Sequence, residues 1–152
     1  MIFFGHLGPT AAAFKIYEKA SKKKTIDYRF VLVGAILPDL IDKPIGLLFK
    51  NVFHNSRLFA HTLLFSAVLI LIGIYRIRRK KKNDILTLGI STSIHLVLDS
   101  MQLYPATLFW PAFGFTFPER YDKNWAESAI HRLLTDPTYY VTEILGFIII
   151  MY

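Results

Sequence analysis

Apolar residues in this chain fall into five long stretches, which charged or turn-forming residues separate. The stretches cover about residues 2–20, 28–49, 58–75, 85–103 and 138–152. Apolar runs of this length favour helices. The pattern therefore predicts an all-α bundle of about five helices, formed as a single domain by the whole chain of 152 residues.

Proline and polar residues indicate where the first three helices begin or end. The first helix is expected to start near Pro9, because proline suits the first turn of a helix. The second is expected to stop or kink at Pro38, which leaves Asp39 and Asp42 in the turn that follows. The third is expected to begin near Arg57.

The last two helices have clearer capping signals. Asn83-Asp84 is a suitable N-cap for the fourth helix, and Asp136-Pro137 combines a cap with a proline at the first helical position. Between these helices, residues 100–136 form the longest predicted loop, which is rich in Tyr, Trp, Phe and Pro.

Lys and Arg residues concentrate in two of the connections between the apolar stretches. In an up-and-down bundle both connections lie on one side, which the positive-inside rule places in the cytoplasm. The opposite helix ends would then face the non-cytoplasmic side of the cell membrane, in a multi-pass protein. The two connections hold twelve of the 18 Lys and Arg residues: Lys15, Lys19, Lys22, Lys23, Lys24, Arg29, Arg76, Arg78, Arg79, Lys80, Lys81 and Lys82.

The composition favours a membrane-embedded bundle. Apolar residues make up 53% of the chain, and the mean hydropathy is +0.38, above what a small soluble domain usually shows. Residues 58–75 carry no formal charge and are about long enough for one span. A soluble helical protein with unusually apolar helices is the alternative. The pI of 9.7 is compatible with nucleic-acid binding, but none is expected, because the basic residues lie at helix ends, where anionic headgroups attract them.

Five His and Asp side chains are predicted to meet at the end of the bundle opposite the basic connections. His95 and Asp99, four residues apart, share one face of a helix. Ionisable side chains in apolar segments are costly without a partner, and a divalent cation is a suitable one. The chain has no cysteine, which excludes thiolate ligands. Taken singly, each residue could be a hydrogen-bonded core residue or a cap; together they predict a metal site formed by His6, Asp39, His61, His95 and Asp99.

The order of these residues resembles that of a known family. Residues 34–42 read GAILPDLID, Arg57 stands four residues before His61-Thr62, and an early histidine precedes them. Over about residues 1–105 the chain resembles the YdjM-like predicted membrane-bound metal-dependent hydrolases. The order is also similar to that of zinc-dependent phospholipases C and related single-strand nucleases, which are helical enzymes that cleave phosphodiesters with clustered zinc ions.

The resemblance implies a hydrolase with one or two divalent metal ions. The phospholipase's third-metal set of two His and a Glu is not reproduced here. Ligands of nitrogen and oxygen without sulfur suit zinc. With two ions bridged by Asp99, positions would remain for water and a phosphoryl oxygen. In that scheme His61, His95 and Asp39 hold one ion and His6 holds the other, and Asp39 is also a candidate general base.

Further residues are candidates around this site. Arg57 could clamp a phosphate through its planar guanidinium, or it could be a snorkelling arginine at a helix end. Asp42 could orient a ligand histidine, or it could be a solvated turn carboxylate. His54, His131 and Glu143 are possible extra ligands or partners of ligands, with a surface location as the alternative for the histidines.

The aromatic loop bears on the class of function. Trp and Tyr prefer the headgroup region, so residues 104–115 are predicted to lie against the membrane above the site, with a packed core hairpin as the alternative. Membrane lipid is the expected partner. The favoured function is metal-dependent hydrolysis of a phosphoester, which a lipid could supply. The alternative is a noncatalytic membrane protein whose metal is structural or transported, or which acts as an adaptor.

Overall fold

The structure, a computed structural model, describes residues 3–22, 24–119 and 125–152, leaving aside the side chains of residues 125–129. Within these ranges the chain is helical and contains no strand, so the all-α prediction is confirmed. Short 3-10 turns occupy Phe59–His61 and Met101–Leu103. The α-helices are α1 (Phe4–Ser21), α2 (Tyr28–Leu48), α3 (Lys50–Phe53), α4 (Leu63–Lys80), α5 (Asp84–Leu98), α6 (Pro105–Leu108), α7 (Trp125–Thr135) and α8 (Pro137–Met151).

The long helices pack at close range through glycines. Helix α5 lies between α2 and α4, and α1 lies between α2 and α8. A Cβ atom added at Gly8 would collide with the backbone of Gly146, and one added at Gly34 would lie 2.6 Å from the Leu88 carbonyl oxygen. Small residues at these crossings therefore set the short distances between α1 and α8 and between α2 and α5.

Many buried side chains are small and polar, whereas many large apolar side chains lie outside. Thr10, Ser66, Ser91 and Thr92 are completely buried at helix interfaces. Outward-facing apolar residues cover much of α4 and α8. Such an apolar surface marks contact with another molecule or with a membrane. Its exposed members on these two helices include Leu63, Leu64, Val68, Leu71, Ile72, Ile74, Val141, Ile144, Leu145, Phe147, Ile148 and Met151.

No helix in the described ranges combines the length and the apolarity that a membrane crossing requires. The span predicted over residues 58–75 is divided, because its first residues form a 3-10 turn and helix α4 begins only at Leu63. The Thr62 hydroxyl caps this start by accepting from the Phe65 amide. At its other end α4 continues to Lys80, so several residues assigned to a basic connection belong to a helix. The multi-pass topology stays a prediction.

The expectation that helix α2 stops or kinks at Pro38, with a turn after it, is wrong. The helix continues to Leu48, so Asp39 and Asp42 are helical residues. Pro38 has no amide hydrogen for the Gly34 carbonyl. The Thr92 hydroxyl of α5 donates to that carbonyl at 3.3 Å and shares its hydrogen with the Leu88 carbonyl at 3.0 Å. A neighbouring helix thus supplies the hydrogen bond that the proline removes.

Two other boundaries differ from the prediction. Helix α1 begins at Phe4 rather than near Pro9, which places Pro9 inside the helix. Residues 100–136 are not one loop, because α6 and α7 lie within them. The predicted cap of the last helix is confirmed: the Asp136 side chain accepts from the Thr138 amide, and Pro137 is the first helical residue.

The two basic connections lie side by side. The Asn83 amide group donates to the Thr25 carbonyl at 2.9 Å, which joins the α4–α5 connection to the α1–α2 connection. The basic ends of α1 and α4 therefore lie at the same end of the bundle, as the charge pattern predicted.

Candidate metal centre

His95 is fixed on α5 with one ring nitrogen engaged. The side chain is completely buried, and its Nδ1 lies 2.7 Å from the Ala35 carbonyl oxygen of α2. A carbonyl only accepts, so Nδ1 carries the hydrogen and Nε2 carries the lone pair. In the described part of the chain Nε2 has no hydrogen-bond partner, which leaves it available for a metal ion.

Asp42 holds His61 in the same manner. His61 Nδ1 lies 2.7 Å from Asp42 Oδ2, and both side chains are completely buried. The same carboxylate accepts from the backbone amides of Leu58, Ala60 and His61 at 2.7, 3.1 and 3.0 Å. Asp42 therefore shapes the 3-10 turn and leaves His61 Nε2 facing the other candidate ligands.

His6 lies in the first turns of α1 and stacks on His95, with ring centroids 4.2 Å apart. Neither of its ring nitrogens has a hydrogen-bond partner among the described residues. The start of α1 is held from α8, because the Glu143 carboxylate accepts from the amides of Phe3, Phe4 and Gly5 at 2.7–3.1 Å. A carboxylate at this end of a helix also interacts favourably with the helix dipole.

The two candidate carboxylate ligands each pair with a basic side chain. Asp39 Oδ2 lies 2.6 Å from Lys43 Nζ, one turn further along α2. Asp99, the residue after the last turn of α5, has Oδ2 2.6 Å from Arg57 Nη2. These cations hold the carboxylates in position and partly neutralise them.

The five predicted ligands converge, although they come from four segments of the chain. His61 Nε2 lies 3.5 Å from Asp39 Oδ1 and 3.8 Å from Asp99 Oδ2, and His6 Nε2 lies 3.9 Å from Asp99 Oδ1. Ligands about 2.1 Å from a tetrahedral zinc ion are about 3.4 Å apart, so small movements would bring these atoms to coordination distances.

Two overlapping triads describe this convergence. One comprises His6, Asp39 and His95, the other His61, His95 and Asp99, and within each the ligand atoms lie within 4.8 Å of one another. Because Nδ1 of His95 is engaged, His95 can bind only one ion. The grouping thus differs from the predicted one, which set His6 apart from Asp39 and His95.

A comparison with known proteins places the chain in a family. Residues 1–152 match the family described as YdjM inner membrane protein. The chain belongs to this YdjM family. Membership agrees with a location at the membrane and with the apolar outer surface of α4 and α8. No curated protein and no solved structure matches the chain.

Burial sets the protonation of two histidines in this YdjM chain. It lowers the pKa of His6 to about 3, and the nearby His95 acts in the same direction. Burial also lowers the pKa of His95. Both rings are therefore neutral near pH 7, the form in which imidazole binds metal ions.

His61 and Asp39 shift in opposite directions because they interact. Burial alone would lower the pKa of His61, but the nearby carboxylates of Asp39 and Asp42 outweigh burial and raise that pKa. Burial alone would raise the pKa of Asp39, but His61 and Lys43 outweigh it and hold that pKa below its usual range. A metal ion at this position would take the place of the proton on His61.

The remaining candidate residues of the YdjM chain differ in whether they contact the predicted metal ligands. Arg57 and Asp42 contact the ligands. His54 is exposed at the end of α3, and His131 is exposed on α7, where it contacts Thr135. Glu143 engages the amides at the start of α1, so it positions the helix that carries His6.

Sequence reasoning missed Lys43 and the Ala35 carbonyl. Asp39 and Lys43 are spaced i,i+4, which indicates an ion pair on a helix. The sequence predicted that this helix ends at Pro38, so the ion pair was not recognised. The Ala35 carbonyl offers no comparable signal, because any residue type has one. Its role depends on the packing of α2 against α5.

Proposed function

We propose that this protein is a membrane-bound metal-dependent hydrolase that cleaves a phosphoester. One observation carries the proposal: the Nε2 atoms of His6, His61 and His95 are buried beside two carboxylates, and in the described structure none has a hydrogen-bond partner. Buried polar atoms without partners are costly, and a cation among them would remove that cost.

The ligand set suits one or two divalent ions, with zinc the best match. His95 would bind one ion, either with His6 and Asp39 or with His61 and Asp99. The remaining pair of ligands would be left for a second ion. When bound, such an ion supplies Lewis-acid chemistry and activates water.

Residues of the chain itself would do the remaining work. Asp39 keeps its Oδ1 toward the site while Lys43 binds Oδ2. If His61 and Asp99 hold the ion with His95, this carboxylate is the candidate general base. Arg57 would bind the phosphate through its guanidinium. Asp42 would keep the His61 ring oriented through the catalytic cycle.

Hydrolysis of a chromogenic phosphodiester by the purified, detergent-solubilised chain tests the proposal. We expect activity with zinc, loss of activity on chelation, and loss of at least a hundredfold in His95→Ala, because this ring belongs to both triads. His131→Ala is the control, since His131 is exposed and distant in sequence from the ligands. Full activity after chelation or in His95→Ala would contradict the proposal.

A noncatalytic role with a structural ion is the second candidate. It is favoured by the overlap of the triads at His95, since five ligands around one ion would leave no position for substrate. Metal analysis separates the two functions. One ion per chain that leaves only on unfolding supports the structural role, whereas exchangeable metal that restores hydrolysis supports the enzyme.

The side of the membrane that the site faces stays a prediction. Because the chain has no cysteine, single cysteines can be introduced and labelled selectively. With a reagent that does not cross the membrane, Phe113→Cys should be labelled from the non-cytoplasmic side and Lys81→Cys should not. The reverse pattern would contradict the orientation predicted from the charges.

A further inference from the structure

A cavity of about 250 Å³ lies beside the candidate metal centre. The two are joined by Arg57, which lines the cavity and whose Nη2 lies 2.6 Å from Asp99 Oδ2. A ligand in this cavity would therefore lie one side chain away from a candidate metal ligand. Residues of its wall include Arg57, Leu103, Tyr104, Pro105, Ala106 and Glu119.

Arg57 is held in place but retains an unused donor. Its guanidinium lies over the Tyr104 ring, 5.4 Å from the ring centroid, and Asp99 binds one of its terminal nitrogens. The other, Nη1, is buried and has no hydrogen-bond partner in the described ranges. A small rotation of the guanidinium would let this donor bind an anion in the cavity while Nη2 stays close to Asp99.

The charges of the cavity wall select among anions. Among the described residues, Arg57 and Glu119 are the charged residues that line the wall, and Asp99 already pairs with Arg57. Two carboxylates near one guanidinium disfavour a dianion such as a phosphate monoester. A phosphodiester carries a single negative charge and suits this balance better.

The rest of the wall indicates what is attached to the phosphate. Leu103, Pro105 and Ala106 contribute apolar surface, and Leu103 is 71% exposed at the outside. Beyond this wall the chain continues to Phe109 and Phe113, which are also exposed. An apolar substituent on the phosphodiester could therefore extend from the cavity along apolar side chains.

We propose that this cavity binds the phosphodiester group of a membrane lipid, with Arg57 Nη1 donating to a phosphate oxygen and Leu103 and Pro105 contacting the apolar substituent. The assignment names the substrate class of the hydrolase proposed above and rests on that function. Binding itself needs no metal, so it can be measured separately from hydrolysis.

Calorimetric titration of the full chain in detergent with a chelator present tests the assignment. The probe is dihexanoyl phosphatidylglycerol, a phosphodiester lipid, with the heat of titration into detergent alone subtracted. We expect Arg57→Gln to raise the Kd about 10- to 100-fold, as loss of a charge-assisted hydrogen bond does. Arg29→Gln, which removes an exposed arginine that pairs with Asp27, should bind like the wild type.

A second variant covers the case in which Arg57→Gln does not fold. Ala106→Leu fills the cavity without changing Arg57 or the candidate ligands, and it should weaken binding at least tenfold. Two further probes separate the sources of the phosphate. Glycerophosphoglycerol, the same headgroup without acyl chains, and dihexanoyl phosphatidic acid, a monoester, should both bind at least tenfold more weakly.

Unchanged affinity in folded Arg57→Gln or in Ala106→Leu would overturn the assignment, as would equal or tighter binding of either further probe. Failure of the proposed function is distinguishable from this. If binding depends on Arg57 but zinc never supports hydrolysis, the hydrolase is contradicted and the lipid site stands. If zinc supports hydrolysis that both variants leave unchanged, the cavity assignment and the phosphate-binding role of Arg57 fail, and the metal-dependent hydrolase stands.

Discussion

Asp42 and His61 form a completely buried hydrogen bond of 2.7 Å between Oδ2 and Nδ1. The two residues come from different segments, one from the middle of α2 and the other from the 3-10 turn before α4. Because the carboxylate also accepts three backbone amides, a single side chain determines both the path of the turn and the orientation of the ring.

Asp42→Asn should weaken metal binding and reduce stability together. The amide has one acceptor oxygen in place of two, and its NH₂ group would face donors. We expect zinc affinity to fall about 10- to 100-fold and the free energy of unfolding to fall by about 3 kcal/mol. Zinc titration and chemical unfolding in detergent measure the two effects. Asp27→Asn, which keeps a good N-cap on α2, should change neither quantity.

Glu143→Gln should loosen the start of α1. The neutral side chain loses the charge-assisted hydrogen bonds to three amides and the favourable interaction with the helix dipole, so we expect a loss of about 1–2 kcal/mol in the free energy of unfolding. Zinc affinity should fall less than in Asp42→Asn, because the Glu143 variant shifts the position of His6 but does not remove this ligand. Hydrogen exchange at the first amides of α1 measures the loosening; unchanged exchange would show that Glu143 does not hold this helix.

Gly146→Ala should separate α1 from α8. An added Cβ would collide with the Phe4 carbonyl, which is backbone and cannot move without moving α1. Overpacking of this kind should cost about 3 kcal/mol. Ile144→Ala is the control, since this exposed side chain should change stability in detergent by about 0.5 kcal/mol or less. Equal melting temperatures of the two variants would contradict the close crossing.

Lys43→Met should tighten metal binding at pH 7. The lysine places a positive charge 2.6 Å from Asp39, which opposes a cation at the same carboxylate. Its removal should raise zinc affinity about tenfold, because charge interactions of a few kcal/mol operate at such distances in partly buried sites. Competition with a zinc indicator measures the change. Lys50→Met, at an exposed position of α3, is the control, and weaker binding in Lys43→Met would refute this electrostatic account.

The five long helices could be predicted from the sequence, but several of their ends could not. Long apolar stretches marked the five main helices, and Asp136 correctly marked the start of α8. Pro38 misled the prediction for α2, because the hydrogen bond that rescues the Gly34 carbonyl comes from Thr92, 58 residues away. Local patterns carry no information about a donor on another helix.

In the candidate site, too, local sequence predicts some features, whereas others depend on contacts between distant segments. Spacing along one helix predicted that His95 and Asp99 share a face, and that much depends only on helical geometry. It could not reveal that Arg57 reaches Asp99 or that Glu143 holds the start of α1. Those contacts depend on how α5 and α8 lie against other segments, which local spacing does not encode.

The sequence by itself determined the helical class, the family and the set of His and Asp residues that could bind a metal, because residue types and periodicity are local properties of the chain. Only the tertiary structure decided which atoms of these residues are available. In His61 and His95 the Nδ1 atom is hydrogen-bonded, so both Nε2 atoms face the carboxylates. These hydrogen bonds form because α2 packs against α5 and against the 3-10 turn. Glycine contacts and buried hydrogen bonds between distant segments set that crossing.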